Sequence, residues 1–155
     1  CHGDAVRQNL LSRGGPDAGK QTVAIDWARA GIDAIGAEIA TLFGVSPRFF
    51  AVENAQIAEL EAIIFTGYLE GLRDTGWQGD ASLARFGYTA IAALDCAVSH
   101  LGFSLPRVVQ RAEQALQHGE QQPRLLGPER TQFTALVGHL LDMGDEALTL
   151  MDSFS

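Results

Sequence analysis

The spacing of apolar and polar positions changes near residue 35. Before that point two short apolar runs, Asn9-Leu10-Leu11 and Thr22-Val23-Ala24-Ile25, flank the stretch Arg13-Gly14-Gly15-Pro16-Asp17-Ala18-Gly19-Lys20. Two extended runs around a Gly/Pro/Asp loop predict a small β-hairpin. The β-branched content of the second run reads as a buried strand.

Beyond residue 35 the period becomes helical. Ile35 to Phe43 is a short apolar stretch, and Ser46-Pro47 reads as an N-cap with a first-turn proline. From Glu53 to Thr75, Ile57, Leu60, Ile64, Tyr68 and Leu72 recur at three- and four-residue spacing, one buried helix face that Gly76 closes. From Ser82 to Leu101 the same spacing selects Leu83, Phe86, Ala90, Leu94, Val98 and Leu101. Ser104-Leu105-Pro106 opens a further helix that Gly119 ends, and a Gln-rich connector runs from Gln117 to Pro123. A last helix from Pro128-Glu129 to about Met151 turns Phe133, Leu136, Leu140, Ala147 and Met151 inward, with Gly144 as its weak point. The expected fold is mainly α (α+β): a short hairpin packed on a helical bundle, 1–155 forming a single domain divided into 1–34 and 35–155.

Composition narrows the function. The 155 residues are 46% hydrophobic and 19% charged, enough to bury a core and unlike a disordered chain. A formal charge of −8 argues against a broad grip on nucleic acid, which needs clustered Lys and Arg. It is compatible with a cationic partner. Two cysteines, Cys1 and Cys96, make no disulfide framework, so a reducing cytoplasm is the default expectation. No apolar run reaches the roughly 18 residues that cross a bilayer, so no membrane partner is expected.

The chemistry lies at the start of the chain. His2-Gly3-Asp4 is followed by Asn9, giving the spacing H-x-D-x-x-x-x-N of kinase catalytic loops. Asp26 stands at the end of the second strand. Phosphoryl transfer uses these residue types in this order: one carboxylate to orient and deprotonate the attacking hydroxyl, then an amide oxygen and a second carboxylate to hold Mg²⁺ against ATP phosphates. Asp4 suits the first role, Asn9 and Asp26 the second. A hairpin between Asn9 and Asp26 would fold the two ligands back toward each other.

Cys1-His2-Gly3-Asp4…Asn9-Leu10-Leu11, then Ala24-Ile25-Asp26-Trp27-Ala28-Arg29-Ala30-Gly31, then Gly36-Ala37-Glu38-Ile39-Ala40, resembles the H-G-D…N-L-L, I-D-W-x-x-A-G and G-x-D/E-L-A series of the aminoglycoside phosphotransferase and choline kinase-like family. The match covers residues 1–43; Gln8 and Asp33-Ala34 depart from the usual pattern. The resemblance implies a protein-kinase-like C-terminal lobe with Asp4 as catalytic base, Asn9 and Asp26 as metal ligands and Glu38 bracing the catalytic loop. It implies ATP and Mg²⁺ as cofactors and a small-molecule hydroxyl acceptor, such as an aminoglycoside or other metabolite. No Gly-rich phosphate loop or strand lysine precedes His2, and the one lysine, Lys20, lies in the hairpin turn. The N-terminal nucleotide-clamping lobe of the same protein is therefore the expected partner, and the chain alone is expected to be inactive. The alternative is a non-catalytic kinase-like binding module.

Other residues invite plainer expectations. His2 should organise the loop through hydrogen bonds, and Trp27 should pack the hairpin onto the helices. Arg7 is open either to a transferred phosphate or to solvent. His100, His118 and His139 lack metal-ligand spacing, and Cys96 fits a small core position. The acids Glu53, Glu59, Glu61, Glu70, Asp74 and Asp80, and Asp142, Asp145, Glu146 and Asp152, read as solvated helix faces. Acids on a lobe that receives substrate would favour an amine-bearing acceptor.

Overall fold

The computed structural model describes residues 1–14, 21–49, 52–99, 101–102, 105–117 and 128–154. Strand β1 (Leu10–Arg13) pairs antiparallel with β2 (Gln21–Ala24), Leu10 opposite Ala24 and Arg13 opposite Gln21. The rest is helical: α1 (Ala37–Phe49), α2 (Ile57–Asp74), α3 (Ala81–Ile91), α4 (Leu105–Gln117) and α5 (Pro128–Ser153). The mainly helical class with one two-stranded sheet agrees with the sequence. The proposed loop residues 15–20, along with Ser104, Gly119 and the Gln-rich connector beyond Gln117, lie outside the described residues.

α5 packs against α3, and α1 contacts both. The core between them comprises Ile39, Ala40 and Phe43 of α1, Ile57 of α2, Tyr88 of α3, and Leu136, Leu140 and Met143 of α5. Leu60, Ile64, Phe65 and Tyr68 of α2 close it from the side. The expected face of α2 is thus the buried one. Its end is built by Gly76, at φ 87, where the Gly76 amide donates to Arg73 O and the Trp77 amide to Leu72 O. These two bonds satisfy carbonyls that a helix end leaves open. Asp80 caps α3 by accepting from the Ser82 amide at 2.9 Å.

Two helix expectations need correction. Ser46-Pro47 does not start a helix, because α1 runs through both to Phe49. Proline gives no N–H to the carbonyl four residues back, and the helix ends two residues after it. On α3 the buried face is one residue away from the expected one. Ala84, Gly87, Tyr88, Ala92 and Cys96 point inward, while Leu83, Val98 and Leu101 are exposed and Leu94 is 68% exposed. The cause is close backbone approach. A Cβ on Gly36 (φ 89) would overlap the Ala84 carbonyl, and one on Gly87 would overlap the Ile35 carbonyl. Only small side chains fit there, so the leucines face outward. α3 then widens into a π-helical turn over Ala92–Ala97, which buries Ala92 and Ala97, five positions apart. On α5, Leu136, Leu140 and Ala147 are buried as expected, and Met151 is exposed. Gly144 lies inside the continuous helix, where a Cβ would come within 3.1 Å of the Ala93 side chain.

The hairpin is less buried than its sequence suggests. Val23 and Ala24 are half-buried, and Leu11 and Ile25 are exposed. A lone two-stranded sheet is marginal in water, so its order depends on the contacts at its base. Among the described residues no helix is long and apolar enough to cross a membrane.

Cys1 and Cys96 are both free thiols. Cys96 donates weakly to Ala40 O, and burial pushes its thiol up to about 12, with the Asp95 charge adding to the effect. A thiol reagent should therefore titrate one cysteine, Cys1, in the native chain and Cys96 only after unfolding. Gly36→Ala combines a positive φ with a backbone overlap, whereas Gly76→Ala meets nothing within 4 Å. In urea unfolding, Gly76→Ala should cost about 1 kcal/mol and Gly36→Ala about 2 kcal/mol or more. Equal costs would contradict the close approach of α1 and α3.

Candidate active site

Residues 1–9 form a tight loop in front of the hairpin. Gly3 stands at φ 73, and a Cβ there would overlap the Arg29 carbonyl, so only glycine fits this turn. The Val6 amide donates to Asp4 O at 2.8 Å, and the Asn9 amide to Val6 O at 2.9 Å. A single 3-10 turn, Arg7–Asn9, delivers the chain into β1.

His2 holds this loop to the hairpin. It is 5% exposed. Its Nε2 lies 2.8 Å from Ile25 O, and its Nδ1 lies 3.3 Å from the Asp4 amide. A carbonyl can only accept and an amide N–H can only donate, so the ring carries its proton on Nε2 and accepts at Nδ1. From beneath, Glu38 Oε2 of α1 accepts from the His2 amide at 3.1 Å. The bracing bond that the resemblance implies for Glu38 is therefore present. His2 acts as the expected loop organiser.

Asp4 and Asn9 come together directly. Asn9 Nδ2 donates to Asp4 O at 3.0 Å and to Asp4 Oδ2 at 3.1 Å. Asn9 O accepts from the Ile25 amide at 2.9 Å, continuing the hairpin pairing one step beyond Leu10 and Ala24. Asp26 follows Ile25, so the hairpin brings it to the end that carries Asn9. Asp26 has φ 61 and ψ 67, and is the non-glycine residue with positive φ among those described. Aspartate tolerates this conformation better than most side chains. Its side chain is exposed and does not cap the 3-10 turn, Trp27–Arg29, that it precedes. A strained backbone carrying an uncommitted carboxylate is typical of sites where geometry serves function.

Trp27 does not pack the hairpin onto the helices. It is 58% exposed, its ring lies 4.6 Å from that of His2, and its Nε1 donates to Ala24 O at 3.1 Å. Both contacts stay within the loop and hairpin, where the indole covers the His2 ring and spans Asp26.

The donor set fits a hard divalent cation. With the Asn9 amide nitrogen committed to Asp4, its oxygen remains as a neutral hard ligand, and Asp26 adds a carboxylate. Such oxygen donors suit Mg²⁺ when substrate phosphates and water complete the shell. Among the described residues no cluster of three His, Cys, Asp or Glu side chains could hold a metal; an amide paired with one carboxylate is a different kind of site.

One polar feature was not anticipated from the sequence. Arg85 of α3 grips Glu146 of α5 through two bonds of 2.7 Å and also donates to Glu61 of α2. Its guanidinium lies over the Phe65 ring, 4.9 Å from the centroid. Burial alone would lower the Arg85 pKa, but the bonds to Glu146 and Glu61 outweigh it and hold it above its ordinary value. Glu61 and Glu146 are therefore not solvated-face acids. The available signal was Glu61 itself, an acid inside the apolar series Ile57, Leu60, Ile64 and Tyr68. His139 lies beside this group, with its ring 5.5 Å from Phe43; His100 and His118 fall outside the described side chains.

Comparison with models of known families, with curated proteins and with solved structures yields no match for this chain.

If Glu38 holds the loop, Glu38→Leu should leave the His2 amide partly buried without an acceptor, at a cost of about 1–3 kcal/mol. Amide exchange should then accelerate at His2, Asp4 and Ile25 more than in α3. Unchanged exchange at these three residues would contradict the bracing role.

Proposed function

We propose that this chain is the catalytic lobe of an ATP-dependent phosphotransferase acting on a hydroxyl of a small molecule, such as an aminoglycoside or other small metabolite. The observation that supports this best is the double use of Asn9. Its side chain fixes the Asp4 carboxylate, while its main-chain oxygen takes the Ile25 amide and so sets where Asp26 begins. A chance pattern on solvated turns would have no reason to link these three residues.

In this proposal Asp4 aligns the acceptor hydroxyl and takes its proton as the new O–P bond forms and the bond to ADP breaks. Asn9 Oδ1 and Asp26 would hold Mg²⁺, which when bound neutralises charge on the ATP phosphates. His2 and Glu38 would act as positioning residues that keep the loop in register, and preorganisation of this kind is where such enzymes gain most of their rate. Phosphates bound through that ion would still need gripping from the opposite side, which a nucleotide-clamping lobe would supply. The acids exposed on α2 and α5 would favour an amine-bearing acceptor.

Turnover should be measured on protein that carries this lobe together with a nucleotide-clamping lobe. Asp4→Ala should lower kcat by about 10²–10⁴-fold while leaving the unfolding midpoint and KM for ATP nearly unchanged. Wild-type kcat in that variant would remove Asp4 from the reaction and this function with it.

A further inference from the structure

Glu38 reaches the His2 amide from a helix whose first turn must itself be held in place. α1 begins at Ala37, so Glu38 is its second residue and Gly36 stands just before it. Gly36 is buried at φ 89, against the Ala84 carbonyl of α3, where a Cβ would overlap. An amide at a helix start has no partner within its own helix. For Gly36 the partner comes from α2: the Tyr68 hydroxyl accepts from the Gly36 amide at 3.0 Å, 32 residues away in the chain. Burial raises the pKa of the Tyr68 phenol and the Glu38 charge raises it further, against the Gly36 bond, which lowers it. Tyr68 is thus a neutral acceptor fixed at the foot of α1.

We propose that Tyr68 is a positioning residue for the phosphotransfer reaction, setting through Gly36 the first turn of α1 and so the placement of Glu38, His2 and Asp4. The inference rests on the function proposed for this site. Three hydrogen bonds carry it. The Gly36 amide donates to Tyr68, the His2 amide donates to Glu38 Oε2 at 3.1 Å, and the Asp4 amide donates to His2 Nδ1 at 3.3 Å. The last two lie toward the long end of hydrogen-bonding distance, so a shift of about half an ångström at the start of α1 would weaken them. Misplacing a catalytic group by about 1 Å lowers a rate by roughly 100-fold, so a smaller shift accounts for about tenfold. Tyr68 itself touches no reacting group in this scheme. It acts through Glu38 alone.

Tyr68→Phe deletes the hydroxyl and keeps the ring, and it is read in two ways. In the whole chain, amide exchange should quicken about fivefold at Gly36, His2 and Asp4, and not in α5. On protein that carries this lobe together with a nucleotide-clamping lobe, kcat should fall about tenfold while KM for ATP stays within about twofold. Combined with Glu38→Leu, Tyr68→Phe should lower kcat no further, because the two residues act by one route. A hydroxyl that only stabilised the fold would lower the urea midpoint, leave kcat per folded molecule unchanged and quicken exchange evenly. That result overturns the proposal, as does a loss of kcat that adds in full to that of Glu38→Leu. Unchanged exchange at His2 and Asp4 overturns it too, and leaves the proposed function standing. Wild-type kcat in Asp4→Ala is the separate result that removes the function, and the proposal with it.

Discussion

The bond from His2 Nε2 to Ile25 O, at 2.8 Å, is the joint on which the candidate site depends. The two segments that the proposed function needs together, the loop with Asp4 and the strand end with Asp26, are separated in sequence, and neither acid is deeply buried. A two-stranded sheet cannot hold them together by itself. His2 does so by using both ring nitrogens, one on each segment, while Glu38 fixes its backbone from the helical side. Trp27 covers the same ring from outside. An imidazole with both nitrogens engaged has little freedom to rotate, so the backbone at Asp4 and at Ile25 is held in register.

The helical part supplies the platform. Glu38 can reach His2 because α1 begins at Ala37, and its start is fixed by backbone-close packing of Ile35 and Gly36 on Ala84 and Gly87 of α3. Tyr68 of α2 adds a further tie by accepting from the Gly36 amide at 3.0 Å. The Arg85 group joins α2, α3 and α5 at another point. Partly buried ion pairs of this kind add little net stability over an apolar replacement, but removing one partner strands the others. Their effect here is to bind specific helices to one another. Continuity from α3 through α1 to Glu38 and His2 connects core packing to the position of Asp4.

Much of this was legible in the residues. Turn chemistry and strand composition mark the hairpin, and three- and four-residue spacing marks α2 and most of α5. The motif spacing also picks out the residues that prove to be hydrogen-bonded, Asp4 to Asn9 and Glu38 to His2. The errors share a cause: periodicity favours large apolar residues, whereas α3 buries its small ones. Leu83 and Leu94 look inward on a helical wheel, but the Gly36–Ala84 and Gly87–Ile35 approaches leave no room for leucine there. Likewise Glu61 reads as solvated until Arg85 and Glu146, 24 and 61 residues away from their partners in sequence, are brought beside each other. Contacts between distant segments decide both cases, and local spacing carries no record of them. Trp27 shows the converse, since its indole bonds within its own turn and does not reach the helices.

In the proposed reaction Asn9 and Asp26 would hold one divalent ion beside the Asp4 carboxylate. Titration of Mn²⁺ with a non-hydrolysable ATP analogue into the isotope-labelled chain, read as paramagnetic broadening of amide signals, tests it most directly. The Asn9 side-chain amide and the backbone amides of Asp4 and Asp26 should fade first and together, and Asp26→Ala should abolish that selectivity. Broadening centred on the exposed acids of α2, or spread evenly over the acidic surface, would contradict it.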